Sequence, residues 1–416
     1  VSPFTFSWCN LSTAAEARCA ELNAARAWQA PQRPLPPCPV YKHDRIRIAY
    51  FSPDFRDHPV SFSFAEVIEL HDRSEFEVVA VSFGEDDRSS MRARLEKGFD
   101  RFLDVRHLGD RAMAEMIRHE EIDIVVDLAG FTANNRGNVL AMRPAPIAVN
   151  FQGSGTGAPF LDYLISDRHC VPTQYEHLYR EKIARLPDSC FKINDGQEAI
   201  PADTPSRTSQ GLPEKGFVFC SFCFTPKITP EIFGSWMRLL RAVDGSVLCL
   251  RHDNELVSAN LRKQAELRGV AGERLVFASR VSLPEHLARH RLADLFLDTF
   301  PFGGQTTIGH ALRAGLPVLT LSGQTFASRV GLSVTRAMGL SEMVVESLTD
   351  YEAAALALAH DPAGLSDRRR KLAIALAASP YVDSRRFVRH VESAYRTMID
   401  RHRSGLPAAA FDVAPL

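Results

Sequence analysis

The chain is predicted to be α/β, built as two doubly wound, Rossmann-like domains with parallel sheets, and three observations say so. Short apolar runs recur along it, helical stretches separate them, and the rhythm breaks once, at the polar stretch PADTPSRTSQGLPEKG (201–216). Apolar strands alternating with helices mean a parallel sheet covered on both faces. At 416 residues the length suits two or three domains of ~150 residues each, and the single break selects two.

Residues 12–29, STAAEARCAELNAARAWQ, have the Ser/Thr start of a helix, and PQRPLPPCP (31–39) is a stiff proline linker. A chain that opens on a helix in this way is expected to be a fragment. From Asp44 come strand RIRIAYFS (45–52), helix 59–71, strand FEVVAVSF (76–83), helices 88–97 and 110–119, and strand IDIVVDLAG (122–130), then strand-like IAVNF (147–151) and YLISD (163–167). After the break follow strand FVFCSF (217–222), helix 230–242, strand SVLCL (246–250), helix 255–268, strand RLVFAS (274–279), helix 284–292, and strands 294–298 and 317–321. The amphipathic stretch SRRFVRHVESAYRTMID (384–400) is the last long helix. The expected organisation is therefore a helical N-terminal segment and linker (1–43), a first Rossmann-like domain (44–205), a second (206–383) and a C-terminal helix (384–404). Ligands of open parallel sheets lie at the carboxyl ends of strands, so two such domains facing each other would make a cleft there.

Composition excludes several function classes. With 49 basic and 50 acidic residues no global field draws the chain to nucleic acid or an anionic membrane. No apolar run approaches the ~20 residues that span a bilayer, and no signal peptide is visible. A cytoplasmic location is expected. The eight cysteines lack framework spacing and fit reduced thiols. Cys220 and Cys223 form the one C-x-x-C, but inside an apolar strand-like run, where a structural part is the plainer reading.

One stretch carries chemistry. In LFLDTFPFGGQTTIGHALRAGLPVLT (295–320), a strand ends at Asp298, Gly303 and Gly304 allow close backbone approach, and Thr306–Thr307 open a helix whose dipole favours an anion. A diphosphate is the natural guest of such a cradle, while helix capping explains the threonines equally well.

The segments SPDFRDHPVS (52–61), GFTANNRGNVLAMRPAPI (130–147), EKIARLPDS (181–189), PKITPEIFGSWMRLLRAVDGSVLCL (226–250), the cradle and GQTFASRVGLS (323–333) occur in this order. Together they resemble the catalytic region of the O-linked N-acetylglucosamine transferase and SPINDLY family over about residues 44–400. The resemblance implies a GT-B glycosyltransferase of two Rossmann-like domains, with the last helix returning to the first. It implies an inverting, metal-independent enzyme with no cofactor, moving a sugar from a nucleotide donor, UDP-N-acetylglucosamine, to Ser or Thr hydroxyls of a protein acceptor. Tetratricopeptide repeats ahead of this region are implied too, with no nucleic-acid or membrane partner.

By the same resemblance, His58, in the Arg56-Asp57-His58-Pro59 turn, holds the acceptor hydroxyl or takes its proton. Lys227, expected to be an exposed loop lysine, offsets charge on the leaving diphosphate, and Asp87 matches a carboxylate that helps deprotonate the acceptor. Gly303, Gly304, Thr306 and Thr307 bind phosphates, and His286 lies near a nucleotide contact. Arg329 either reaches a phosphate or pairs with a carboxylate. Asp127 and Asp298 are read as strand-end caps of the following loops.

Departures from the family pattern fall on the nucleotide and sugar side. His310 stands where the family has an Asp for the ribose hydroxyls, Gln305 where many members have His, and Cys223–Phe224 in place of a polar pair. The loop FQGSGTGAP (151–159) is about two residues shorter than the family form and lacks its proline. The diphosphate parts are kept while the base, ribose and sugar contacts have changed. Three other readings follow: a related enzyme using a GDP-fucose, dTDP- or CMP-sugar donor, as in flagellin modification; a non-catalytic nucleotide-sugar-binding module; or a nicotinamide dehydrogenase resting on Gly153–Gly157. The last lacks the acidic strand end ~20 residues on and has Pro159 at the helix start.

Overall fold

Both halves of the chain fold as parallel sheets with the same strand order. The computed structural model describes residues 2–9, 11–28, 34–151, 153–192 and 200–416, so residues 31–33 of the proline stretch and Gln152 of the 151–159 loop lie outside the described residues. Two units separate: Val1–Ser7 with Leu11–Lys192 and Asp383–Leu416, and Trp8–Asn10 with Ile193–Val382.

In chain order the first unit carries α1 (Pro3–Phe6), α2 (Thr13–Ala27), β1 (Ile46–Ser52), α3 (Pro59–Leu70), β2 (Phe76–Ser82), α4 (Ser90–Gly98), β3 (Arg101–Asp104), α5 (Asp110–His119), β4 (Ile124–Asp127), α6 (Gly137–Ala141), β5 (Ile147–Asn150), β6 (Tyr163–Asp167) and β7 (Lys182–Leu186). Its sheet runs β7-β6-β5-β4-β1-β2-β3. The second unit carries β8 (Val218–Ser221), α7 (Pro230–Ala242), β9 (Val247–Arg251), α8 (Glu255–Glu266), β10 (Leu275–Ala278), α9 (Leu283–Arg289), β11 (Leu295–Leu297), α10 (Thr306–Arg313), β12 (Val318–Leu321), α11 (Phe326–Ala337), β13 (Val344–Val345), α12 (Leu348–His360) and α13 (Pro362–Ala378). Its sheet runs β10-β9-β8-β11-β12-β13. The chain then returns to the first unit as α14 (Ser384–Arg403) and β14 (Phe411–Asp412), which extends the sheet beyond β7.

Each order reverses once, between β1 and β4 and between β8 and β11. That switch point of a doubly wound sheet is where the flanking crossovers diverge and leave a crevice at the strands' carboxyl ends. It singles out four loops, those after β1, β4, β8 and β11.

Period-two alternation explains the covering of the first sheet. Ile48, Tyr50, Val78, Ala80, Ile124 and Val126 face one way and pack with Val388, Val391, Tyr395 and Met398 of α14, while Ala49, Phe51, Val79, Val81 and Val125 face the other and pack with Met113, Ile117, Ala24 and Trp28. Residues 12–28 thus fill part of the first unit's core rather than standing apart as an N-terminal segment. Trp28 stacks on Phe131 at 4.5 Å and its Nε1–H donates to Asn135 Oδ1 at 2.9 Å. The crossing between units also lies earlier than the polar break. Residues 201–216 pack in the second unit, where Leu212 is buried and Arg207 pairs with Asp294 at 3.0 Å.

A buried polar chain fixes α14 to the first sheet. The Tyr395 hydroxyl donates to the Tyr50 hydroxyl at 3.3 Å, Tyr50 meets His71 Nε2 at 2.8 Å, and His71 Nδ1 meets Glu392 Oε1 at 3.0 Å. The same Glu392 oxygen accepts the Asp72 N–H at 2.8 Å. Burial holds the His71 pKa below its ordinary value in spite of the carboxylate, so the neutral ring donates from Nδ1 and accepts at Nε2.

Candidate functional site

At the first switch point the loop after β1 is closed by its own side chains. The Asp54 N–H donates to Ser52 Oγ at 3.0 Å, and the Ser61 hydroxyl donates to the Asp54 carbonyl at 2.6 Å. His58 is the N-cap of α3. Its extended backbone lets Nδ1 accept the Val60 N–H at 3.3 Å, and Pro59 at the first helical position forfeits no hydrogen bond. The pair His-Pro is therefore a helix start before it is anything else. The ring is one-third exposed, with Asp54 Oδ2 at 3.7 Å from Nδ1. Burial draws its pKa below the ordinary histidine value, against the pull of Asp54. With Nδ1 accepting from the backbone, the neutral ring carries its proton on Nε2, so it can hold an oxygen atom there but has no lone pair to take a proton.

Asp87 is exposed and tied to this loop: Oδ2 accepts the Asp57 N–H at 2.8 Å and Oδ1 the Ser89 N–H at 3.0 Å. Burial would raise its pKa, but these hydrogen bonds and Arg56 outweigh that and lower it. This is the geometry of a loop tie and of a weak base. After β4, Asp127 caps its own loop, accepting the Ala129 and Gly130 N–H groups at 2.9 and 3.1 Å, and burial pushes its pKa up to about 6.

At the second switch point the sequence expectation needs correcting. Gly303 and Gly304 do not offer their N–H groups to a ligand: Gly303 N–H donates to the Ala327 carbonyl at 3.1 Å and Gly304 N–H to Asp298 Oδ1 at 2.7 Å. The glycine at 304 is required by crowding, since a Cβ there would lie 2.2 Å from Thr307 Oγ1. The start of α10 is what remains in this loop as a source of open N–H groups. That helix opens at Thr306 behind Gln305 with no capping side chain, which leaves its first-turn N–H groups and dipole end uncompensated.

Lys227 is also not the exposed side chain expected. It is half-buried, its ammonium donates to the Gly303 carbonyl at 3.0 Å, and Nζ lies 3.9 Å from the centre of the Phe302 ring. Burial lowers its pKa from the ordinary lysine value, with Asp298 acting the other way. Among the described ion pairs it has no carboxylate partner. An ammonium held by one carbonyl and one ring face, in the turn ahead of an uncapped helix start, has the charge and open donors that suit an anion.

Next to this lies a wall of rings. His286 on α9 meets Phe222 edge-on at 5.2 Å, His290 at 4.6 Å and His310 of α10 at 5.6 Å. His310 thus turns toward α9, one helical turn along from Thr306. Phe224 is exposed after β8, with the Arg251 guanidinium 5.2 Å from its ring centre. Burial holds His286 down to about 3 and His310 down to about 4, each further lowered by neighbouring positive charge. These folded-state values lie below the ~6.5 of an unfolded histidine, so both rings stay neutral in the fold. As pH falls through about 6.5 toward 4, the unfolded chain takes protons that these positions refuse, and their share of stability is lost. His310→Phe should therefore lose less stability than wild type between pH 7 and pH 4.5 in urea unfolding; equal losses would return the ring's pKa to its ordinary value.

Arg329 donates to the Gly323 carbonyl at 3.0 Å. Sequence reading missed Asp54, Arg251, His290 and Phe302 around these loops. It also missed Glu181, whose buried carboxylate accepts the Thr156 N–H and hydroxyl at 2.7 Å each and so braces the 151–159 loop. All eight cysteines are free. Among the described residues one group, Asp167, Cys170 and Cys190, has the spacing to hold a metal ion. Its carboxylate already accepts the N–H groups of His169, Cys170 and Cys190 at 2.8 Å each. No helix among the described residues is long and apolar enough to cross a membrane.

Known proteins share this chain's sequence pattern and fold. A family model described as Glycosyl transferase family 41 matches residues 35–204 and 195–391. The chain is 35% identical over 377 residues to the probable UDP-N-acetylglucosamine–peptide N-acetylglucosaminyltransferase SEC of Arabidopsis thaliana, covering 89% of this chain and 38% of that protein. It is 33% identical over 372 residues to the probable enzyme of that activity named SPINDLY from Petunia hybrida, covering 87% and 39%. The chain thus spans less than two fifths of these relatives. A solved mutant of the Thermobaculum terrenum O-GlcNAc transferase superposes with a TM-score of 0.88 at 33% identity, over 96% of this chain and 77% of that one. The two parallel-sheet α/β units are those of the GT-B class. The apo lipopolysaccharide outer core galactosyltransferase WaaB, at 12% identity and a TM-score of 0.53 over 85% of this chain and 100% of that one, shares the fold alone.

Proposed function

We propose that this chain, which belongs to glycosyl transferase family 41, moves an N-acetylglucosamine-type sugar from a uridine diphosphate donor to serine or threonine hydroxyls of a protein, with inversion and without a metal ion. The observation that carries the reading is the Lys227 ammonium, held by the Gly303 carbonyl in the turn ahead of the uncapped start of α10. Breaking the bond from sugar to diphosphate puts growing charge on the leaving phosphate oxygens. A fixed ammonium and aligned N–H groups meet that charge without reorganising, and they supply the positive charge that a divalent ion would otherwise bring.

The acceptor hydroxyl is assigned to the first unit. His58, neutral and protonated on Nε2, orients an oxygen atom rather than removing its proton, and Asp87 is too well hydrogen-bonded to be a strong base. The proton is then passed to the leaving diphosphate. The names of the plant relatives support the uridine donor and the peptide acceptor. A repeat region ahead of this chain is proposed because the chain spans 38% of the Arabidopsis relative. The eight free cysteines support a cytoplasmic location.

The test is His310→Asp, read by calorimetry with UDP, GDP, dTDP and CMP. In a site built for UDP the new carboxylate restores acceptors for the ribose hydroxyls, and UDP should bind tighter by ~1–2 kcal/mol. Weaker binding of UDP, or wild-type binding that favours another nucleotide, would overturn the choice of donor.

A further inference from the structure

Asp298 is a buried carboxylate hydrogen-bonded to the turn that leads into the proposed phosphate site, and a negative charge there would repel a diphosphate unless it served the groups that bind one. Its oxygens are fully used. Oδ1 accepts the Gly304 N–H at 2.7 Å and the Thr299 N–H at 2.9 Å, and Oδ2 accepts the Thr320 hydroxyl at 2.8 Å. Its backbone carbonyl accepts the Tyr351 hydroxyl at 3.0 Å. The Cys223 thiol lies 3.9 Å from Oδ1 and 3.4 Å from Thr307 Oγ1, so one small side chain links the carboxylate to the start of α10. Gly303, whose carbonyl holds Lys227, lies in the same turn.

We propose that Asp298 is a positioning residue for the donor's diphosphate: it folds the turn 299–304 so that the first turn of α10 is left open to an anion and the Gly303 carbonyl stays in place for Lys227. The proposal rests on the donor reading above. By consuming the Gly304 N–H, Asp298 decides which donors remain for phosphate.

The variants separate shape from charge. Asp298→Asn keeps an acceptor for Gly304 and an amide for Thr320 while removing the charge, and Asp298→Ala removes both. Binding of UDP and of inorganic diphosphate is measured at neutral pH, with melting temperature alongside. Asp298→Asn should fold as wild type and bind both probes within about threefold of it, because the turn's hydrogen bonds are kept. Asp298→Ala should bind both more than about tenfold weaker. Asn and Ala variants that bind alike overturn the positioning role. A wild type that binds diphosphate but not UDP overturns the donor reading and leaves the Asp298 comparison to be read on diphosphate; one that binds neither overturns both.

Discussion

Lys227→Ala lowers sugar transfer by about a hundred- to a thousandfold, the range seen when one fixed stabiliser of developing negative charge is removed, while the protein still folds. The half-buried side chain, whose ammonium lies over the Phe302 ring, means that alanine also loses some packing. Lys227→Met is the necessary partner, since it keeps an unbranched stem on the ring and removes only the charge. Both variants should be inactive, with the Met variant melting closer to wild type. Turnover and melting temperature measured together decide it. A Met variant within a few-fold of wild-type turnover would remove the ammonium from the mechanism whatever the Ala variant does.

The largest effect on stability is expected at Glu392, far in sequence from any candidate site residue of the first half. One of its oxygens takes both His71 Nδ1–H and the Asp72 N–H, and its side chain is 3% exposed. Removing it leaves two buried donors and a histidine chain without its anchor. Glu392→Ala should cost about 1–3 kcal/mol for each donor it strands, and Glu392→Gln clearly less, because the amide oxygen can still accept. Urea unfolding gives the magnitude, and hydrogen exchange in α3 and α14 gives the place. A loss of only about 1 kcal/mol, the worth of an exposed pair, would mean that α14 is held by its apolar face alone.

Strand and helix alternation was legible because most strands here are buried on both faces and read as unbroken apolar runs. Where that signal fails, reading fails with it. The strand Arg101–Asp104 is partly exposed throughout and contributes two charged residues out of four. Pro362–Ala378 has a single fully covered residue, Leu372, so no stripe marks it as a helix. Phe326–Ala337 is buried almost all round, which erases periodicity from the other side; its Thr325–Ser328 capping box was the signal available. At the site, residue types on loops were legible and their partners were not. A Gly-Gly pair reads equally well as close approach to a ligand or to a neighbouring side chain. Thr307 crowding Gly304 is a three-dimensional fact, as is the carboxylate of Asp298 claiming the N–H meant for phosphate.

The return of α14 has a consequence for how the molecule is made. Residues 193–382 are synthesised between the first sheet and the helix that covers one of its faces. While the second unit is emerging from the ribosome, Ile48, Tyr50 and Val126 have α3 and α4 beside them but not Val391, Tyr395 or Met398. The first unit must wait as an apolar surface that is incompletely closed, the condition in which nascent chains stick to one another and call on chaperones. Closure then depends on contacts separated by more than three hundred residues, among them His71 with Glu392 and Tyr50 with Tyr395. A stop codon just ahead of Ser384 would thus spare every candidate site residue and still leave a nascent chain for the cell's proteases to clear.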